Sequence, residues 1–199
     1  MANPFTVILV RHLPTQGNRD KKYIGWTDEP IITGMKTKKI TYDAKQIIGS
    51  DLMRCKQTAD QLFSGVPYTE NANFRECSFG EWEQKTYNVL KEEPQYRNWL
   101  DDPRQMAPPN GESMEAMESR VLLAFLKIVE QVEHPIIVTH GGPIRFLLTK
   151  FANIDKSFWE WEVPHGTVNT LHWDSKEAVL EGKRCMSFSV EHLMENERM

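Results

Sequence analysis

The chain has 199 residues, of which 40% are hydrophobic and 26% charged, with a formal net charge of −4 at pH 7. That length suits a single domain over residues 1–199 with one buried core, and the acidic balance disfavours a general nucleic-acid surface while leaving a local anion pocket open. Three scattered cysteines, Cys55, Cys77 and Cys185, form neither a disulfide framework nor a zinc-site spacing; with no signal-peptide pattern and no apolar run of bilayer length, a cytoplasmic chain without a membrane partner is expected.

Val7-Ile8-Leu9-Val10 reads as a strand covered on both faces, because such strands are continuously apolar. Arg11 and His12 follow directly. In an open α/β sheet, ligands sit outside the carboxyl ends of strands, so these two side chains stand where chemistry is expected. Pro14, Thr15, Gly17 and Asn18 then form a loop of hydroxyl, amide and N–H groups suited to an oxyanion. Residues 23–33 read as a compact loop anchored by Trp26. Between Gly34 and Ser50, a lysine-rich stretch has room for only about two or three helical turns, so a truncated helix or an irregular link is expected. Residues 46–50 read as a second strand. Residues 51–63 read as a helix with Leu52, Cys55, Ala59, Leu62 and Phe63 on one side.

Further on, Glu81 and Glu83 read as a solvated pair, and residues 84–93 as a helical stretch ended by Pro94. Pro103, Pro108, Pro109 and Asn110-Gly111 mark an extended loop. Ser113 is a good N-cap for a long amphipathic helix over 113–133, with Glu115 and Glu118 near its positive end. Residues 135–139 form another fully apolar strand, ending in His140-Gly141-Gly142-Pro143 and a helix through Phe151. His140 thus repeats the placement of His12, at a strand's carboxyl end beside the free amides of a helix start. Alternation over 158–163 and the runs 168–173, 177–180 and 185–190 read as strand-like, as edge strands and a hairpin. No pattern surrounds His134, His165, His172 or His192, which read as surface or internally satisfied histidines, and residues 194–199 are expected to fray.

Arg11-His12-Leu13-Pro14-Thr15-Gln16-Gly17-Asn18 resembles the Arg-His-Gly signature of the histidine phosphatase (phosphoglycerate mutase-like) superfamily, with Leu13 and Pro14 in place of its usual Gly and Glu. Three further segments look like the family's in the same order. They are Gly25-Trp26-Thr27-Asp28-Glu29-Pro30, Ser50 to Ala59, and Glu76-Cys77-Ser78-Phe79-Gly80-Glu81-Trp82-Glu83. The resemblance implies an α/β three-layer sandwich with a mostly parallel central sheet flanked by helices. It places a second phosphate-binding arginine at Arg54 and the proton-donating acid at Glu76. Within the family, Phe79 to Glu83, Trp99 and Gly111-Glu112-Ser113 look most like the α-ribazole-phosphate phosphatase and broad-specificity branch.

The chemistry these residues can perform agrees with that resemblance. Phosphoryl transfer relies on positioning and on stabilising the equatorial oxygens, which the planar forks of Arg11 and Arg54 match better than lysine does. Thr15, Asn18, Gly141 and His140 add donors. His12 would attack as a neutral imidazole, held neutral by the neighbouring arginines, and form a phosphohistidine. Glu76 would protonate the leaving alkoxide, with His140 open as a second donor. No metal or other cofactor is expected, because no carboxylate or cysteine stands at ligand spacing from either histidine. The expected function is a metal-independent phosphomonoesterase acting on a small phosphorylated metabolite. A phosphoglycerate mutase-type phosphotransferase, or a catalytically weak phosphate- or protein-binding module with its pocket crowded by Leu13, stays open as an alternative. Arg19, Lys21 and Lys22 meet either a second acidic group or solvent, and a homodimer stays open.

Overall fold

The computed structural model describes residues 4–38, 40, 42 and 44–194. Its strands are β1 (Phe5–Arg11), β2 (Ile47–Gly49), β3 (Tyr68–Glu70), β4 (Ile136–Thr139), β5 (Thr167–Trp173) and β6 (Ser187–His192), in one sheet of order β3-β2-β4-β1-β5-β6. The first four strands in that order run parallel, whereas β5 is antiparallel to both β1 and β6. The helices are α1 (Gln16–Arg19), α2 (Met53–Leu62), α3 (Tyr87–Leu90), α4 (Pro94–Asp101), α5 (Met114–Gln131), α6 (Gly141–Phe151) and α7 (Lys176–Leu180).

Alternation along β1 explains the layers, since successive side chains point to opposite faces of a strand. Ile8 and Val10 pack with Val138 and with Cys55, Ala59 and Leu62 of α2. Val7 and Leu9 pack with Ile137, with Val121 and Phe125 of α5, and with Ile144 and Leu148 of α6. The sheet is therefore the middle layer of an α/β sandwich. A third, separate cluster of Trp82, Leu90, Tyr96 and Trp99 builds a cap from α3, α4 and the preceding turn.

The central register places the two strand-end histidines. Arg11 of β1 lies opposite Thr139 of β4, so the next residues, His12 and His140, emerge side by side at the carboxyl edge. The His12 N–H continues this pairing by donating to the Thr139 carbonyl at 3.0 Å.

Several local expectations hold and others do not. Among the described residues between Ile31 and β2 no helix forms, and Thr37 is bridged to Met194, as the irregular-link alternative expects of them. Pro94 starts α4 at its first turn instead of merely ending a helix, because proline fits the N-terminal position where its missing N–H is not needed. The helix ahead of it shrinks to the single turn of α3. The 177–180 run is helical, not extended: the Ser175 side chain accepts from the Ala178 N–H and caps α7. Only Phe158–Glu160 of the 158–163 stretch is regular, and it is a 3₁₀ turn. β5 is an inner strand, not an edge, flanked by β1 and β6. The fraying expected over 194–199 lies outside the described residues beyond Met194.

Candidate active site

His12 is 3% exposed, and its Nδ1 lies 2.7 Å from the Leu13 carbonyl. A carbonyl only accepts, so Nδ1 carries the proton and Nε2 keeps its lone pair. Burial pushes the His12 pKa well below its usual range, with Arg54, His140, His165 and Arg11 adding like-charge repulsion. The arginines contribute as the sequence leads one to expect, but burial is the larger cause.

Leu13 does not line the cavity at the site. Its side chain is fully buried, its N–H donates to the Thr58 hydroxyl at 2.8 Å, and it packs against Gly166. Thr15 and Asn18 engage each other across the start of α1. The Thr15 hydroxyl accepts from the Asn18 backbone N–H and the Asn18 side-chain oxygen Oδ1 accepts from the Thr15 N–H, both at 3.2 Å. Thr15 is fully buried, so its direct work is this cap. Asn18 keeps its amide donors.

Arg54, fully buried near the start of α2, spends its fork on three protein acceptors. Nη1 donates to Thr27 O at 2.7 Å, Nη2 to Gly25 O at 2.6 Å, and Nε to His140 Nδ1 at 3.2 Å. Because guanidinium cannot accept, His140 Nδ1 is bare and its proton sits on Nε2, which faces the Cys55 sulfur at 3.5 Å. To donate toward a phosphate oxygen, His140 has only this weak sulfur contact to release. Burial, then Arg54 and Arg11, hold the His140 pKa well below its ordinary value. The rings of His12 and His140 lie edge-on with centroids 5.0 Å apart.

Arg11 ends β1 with its guanidinium over Gly141, where a Cβ would come within 3.2 Å of Cζ. Its Nη1 donates to the Val163 carbonyl and its Nη2 lies 3.0 Å from His165 Nε2, while the buried Nε has no partner. Burial lowers the Arg11 pKa to about 10, opposed chiefly by the Glu76 carboxylate. Glu76 accepts from the Gly142 N–H and from the Cys77 N–H, each at 2.9 Å, which seats its carboxyl at the first turn of α6. Its backbone carbonyl is held by Trp26 Nε1 and by Arg120, which also clamps the Arg75 carbonyl. Glu76 and Gly142 border a cavity of about 320 Å³ walled by Tyr23, Phe79, Trp99 and Phe158, with Arg145 as the only cation among the described residues of its lining.

Thus Arg11, His12, Arg54, Glu76, His140 and Gly141 converge at one edge of the sheet, and Thr15 with Asn18 shapes the adjoining loop. A buried lone-pair nitrogen, two guanidinium groups and a carboxyl at a cavity mouth suit attack on a phosphoryl group. Among the described residues no group of three or more potential metal ligands stands together.

The family model described as "Histidine phosphatase superfamily (branch 1)" matches residues 7–185. The chain belongs to the histidine phosphatase superfamily. It is 25% identical over 200 residues to the adenosylcobalamin/alpha-ribazole phosphatase of Escherichia coli K12, covering 92% of this chain and 98% of that one. It is 31% identical over 166 residues to a protein of Citrobacter koseri named "Probable phosphoglycerate mutase GpmB", covering 74% and 75%. The crystal structure of the alpha-ribazole phosphatase from Shigella flexneri superposes with a TM-score of 0.74 at 22% identity, over 96% of each chain. That of TTHB049 from Thermus thermophilus does so at 0.68 with 26% identity, over 96% of this chain and 100% of the other. The histidine phosphatase reading and its sandwich fold are borne out, and the enzyme is a phosphatase. No described helix is long and apolar enough to cross a membrane.

Three features of this phosphatase escaped the sequence reading. His165, read as a surface or internally satisfied histidine, is the latter, and its place at the site was missed: its ring lies 5.2 Å from that of His12 and it holds Arg11. Its signal was available in Pro164-His165-Gly166, turn formers just before a strand antiparallel to β1, which returns to the same edge. Glu83 is not solvated, since it accepts from the N–H groups of Gly25, Trp26, Thr27 and Phe79 and from the Thr27 hydroxyl. Glu81 reaches only Asn110, on the surface. Arg145, on α6, had no local cue beyond its charge. Lys22 meets Asp20 at 3.3 Å, so the cation of the cavity is Arg145 and not the basic run after α1.

Proposed function

We propose that this single domain hydrolyses the phosphomonoester of a small metabolite through a phosphohistidine on His12 Nε2. The observation that carries the reading is the His12 Nδ1–Leu13 O hydrogen bond, which leaves Nε2 as the free nucleophile. Nε2 attacks phosphorus as the bond to the alkoxide breaks, and Glu76 transfers its proton to that oxygen. Water then attacks the phosphohistidine, giving its proton to Glu76, and the P–N electron pair returns to Nε2 as phosphate leaves. The free N–H groups of Arg11 and Arg54, with Asn18, the Gly141 amide and His140, hold the equatorial oxygens, whose stabilisation is the main source of rate in such reactions.

The cavity beside Glu76 supports an alcohol with an apolar body. Its walls are aromatic, and Arg145 is its one cation among the described residues, whereas a mutase that holds a small, doubly anionic substrate needs more positive charge there. The burial of the Leu13 side chain near Gly166 supports turnover over the reading of a crowded, inactive binding module. Turnover of α-ribazole phosphate, the substrate named for relatives, and of 3-phosphoglycerate with a bisphosphate primer, compared in the presence of EDTA, tests the assignment. Phosphate release from the former without mutase activity on the latter is expected. An acid-labile, base-stable phosphoryl adduct in wild type, absent from His12→Ala, tests the intermediate; near-normal activity of His12→Ala overturns it.

A further inference from the structure

We propose that His165 is a positioning residue that, with the Val163 carbonyl, clamps the end of the Arg11 guanidinium so that its side edge faces the phosphoryl group. The inference rests on the reading of this site as a phosphate pocket.

A guanidinium carries five N–H donors and no acceptor. Nη1 and Nη2, the two nitrogens at the end of the fork, are directed to Val163 O and His165 Nε2. That leaves Nε–H, buried and unpartnered, and one hydrogen on each of Nη1 and Nη2. Nε–H and the remaining Nη2 hydrogen share one edge of the plane and form the pair of donors that fits two oxygens of one phosphate. Gly141 closes one face of the group, so the fork is gripped at its end and backed by a helix start.

Both holders come from one short loop. Gly166, at φ +68, turns the chain there, and its N–H donates to the Arg11 carbonyl at 3.2 Å. The loop therefore ties down the backbone of Arg11 as well as its side chain. Since Arg11 can only donate, His165 must accept through Nε2 and carry its proton on Nδ1, as a neutral ring. Burial, reinforced by Arg11 and Arg54, lowers its pKa to about 3, so the neutral form persists across the working range. A lysine at position 11 has no fork to orient, and there His165 loses its purpose.

The test measures binding of orthovanadate and inorganic phosphate, and kcat and KM on an aryl phosphate, for wild type, Arg11→Lys, three His165 variants and the double variant. His165→Ala is expected to weaken oxyanion binding by about 10- to 100-fold, the loss that follows removal of a hydrogen bond to a charged group. His165→Gln reaches as far as Nε2 with a carbonyl acceptor and should restore binding. His165→Asn, equally polar but too short, should not. In the Arg11→Lys background, His165→Ala should change binding by no more than about twofold, because the two residues act as one unit. A full, independent loss in that background overturns the clamp and shows His165 acting on the substrate directly. Wild-type binding by His165→Asn and His165→Ala, with Arg11→Lys impaired, overturns the clamp alone. Unchanged binding in Arg11→Lys overturns the phosphate-pocket reading and the clamp with it.

Discussion

Glu83 and Arg54 grip opposite sides of the same three-residue loop segment, Gly25 to Thr27. The N–H groups of Gly25, Trp26 and Thr27 point to the Glu83 carboxylate, while the carbonyls of Gly25 and Thr27 receive Nη2 and Nη1 of Arg54. The loop is a relay of backbone dipoles between an anion and a cation that never touch. It demands glycine at position 25, where a Cβ would lie 2.0 Å from the Cys77 carbonyl.

Glu83→Gln replaces a carboxylate that serves five donors with an amide offering one oxygen. Donors are left unpaired, so the unfolding free energy should fall by about 1–3 kcal/mol. Activity should fall as well, because Arg54 loses its fixed acceptors. Urea denaturation and kcat/KM on an aryl phosphate check both effects. Glu81→Gln, which gives up only the exposed Asn110 contact, should alter neither.

Removing the seat of the acid should mimic removing the acid. Gly142→Ala would place a Cβ 2.1 Å from Glu76 Oε1, so the carboxyl must move off the helix start. Both Gly142→Ala and Glu76→Gln are expected to depress hydrolysis of an alkyl phosphate by about 10²- to 10⁴-fold, the range for a general acid. An aryl phosphate with an electron-poor phenol needs less protonation and should suffer less. Equal losses on the two substrates in Glu76→Gln would assign Glu76 an electrostatic role instead.

His12, His140 and His165 all carry pKa values lowered by burial, the last to about 3. In the unfolded chain each binds a proton below its ordinary value of about 6.5, whereas the folded protein refuses it. The unfolded state then holds more protons, so stability is complete above that pH and falls as pH drops below it, by up to about 1.4 kcal/mol per pH unit for each such histidine. Urea midpoints measured from pH 7 to pH 5 should show this decline. His165→Gln should reduce its slope by one proton.

Trp99 belongs to the cap and faces the cavity. Trp99→Ala should raise KM for phosphate esters of bulky apolar alcohols and leave small alkyl phosphates nearly unchanged, because only the former reach the aromatic wall. A uniform change in kcat across both groups would place the role of Trp99 in folding of the cap.

The parts of this enzyme that a local pattern encodes were legible in the sequence. β1 and β4 are apolar runs that stop abruptly at Arg11-His12 and at His140, and strand ends in an α/β sheet are where side chains meet ligands. Ser113 and the spacing of three and four that follows define α5 without outside help. Glu83 and Arg145 have no such signature, and the cue at His165 is confined to the turn formers on either side of it. The same sequence around Glu83 would suit a surface turn, and only the distant Gly25–Thr27 loop converts it to an internal anchor. Residues 177–180 show the converse failure, since a short apolar run fits strand and helix alike and the Ser175 cap decides. Pro94 was ambiguous for a related reason: it both closes one helix and suits the first turn of the next.

The aromatic cluster of Trp82, Leu90, Tyr96 and Trp99 shares none of its buried members with the two clusters that line the sheet. Part of the cavity wall thus packs apart from the sheet, while Cys77 and Met117 of the same wall belong to the core beneath it. A substitution among the cap aromatics is expected to reshape that wall without touching the packing of the strands that carry His12 and His140. Such a division lets a lineage explore new esters through the cap while the phosphoryl-handling edge stays constant, and it marks the cap as the place to graft a new preference onto this scaffold.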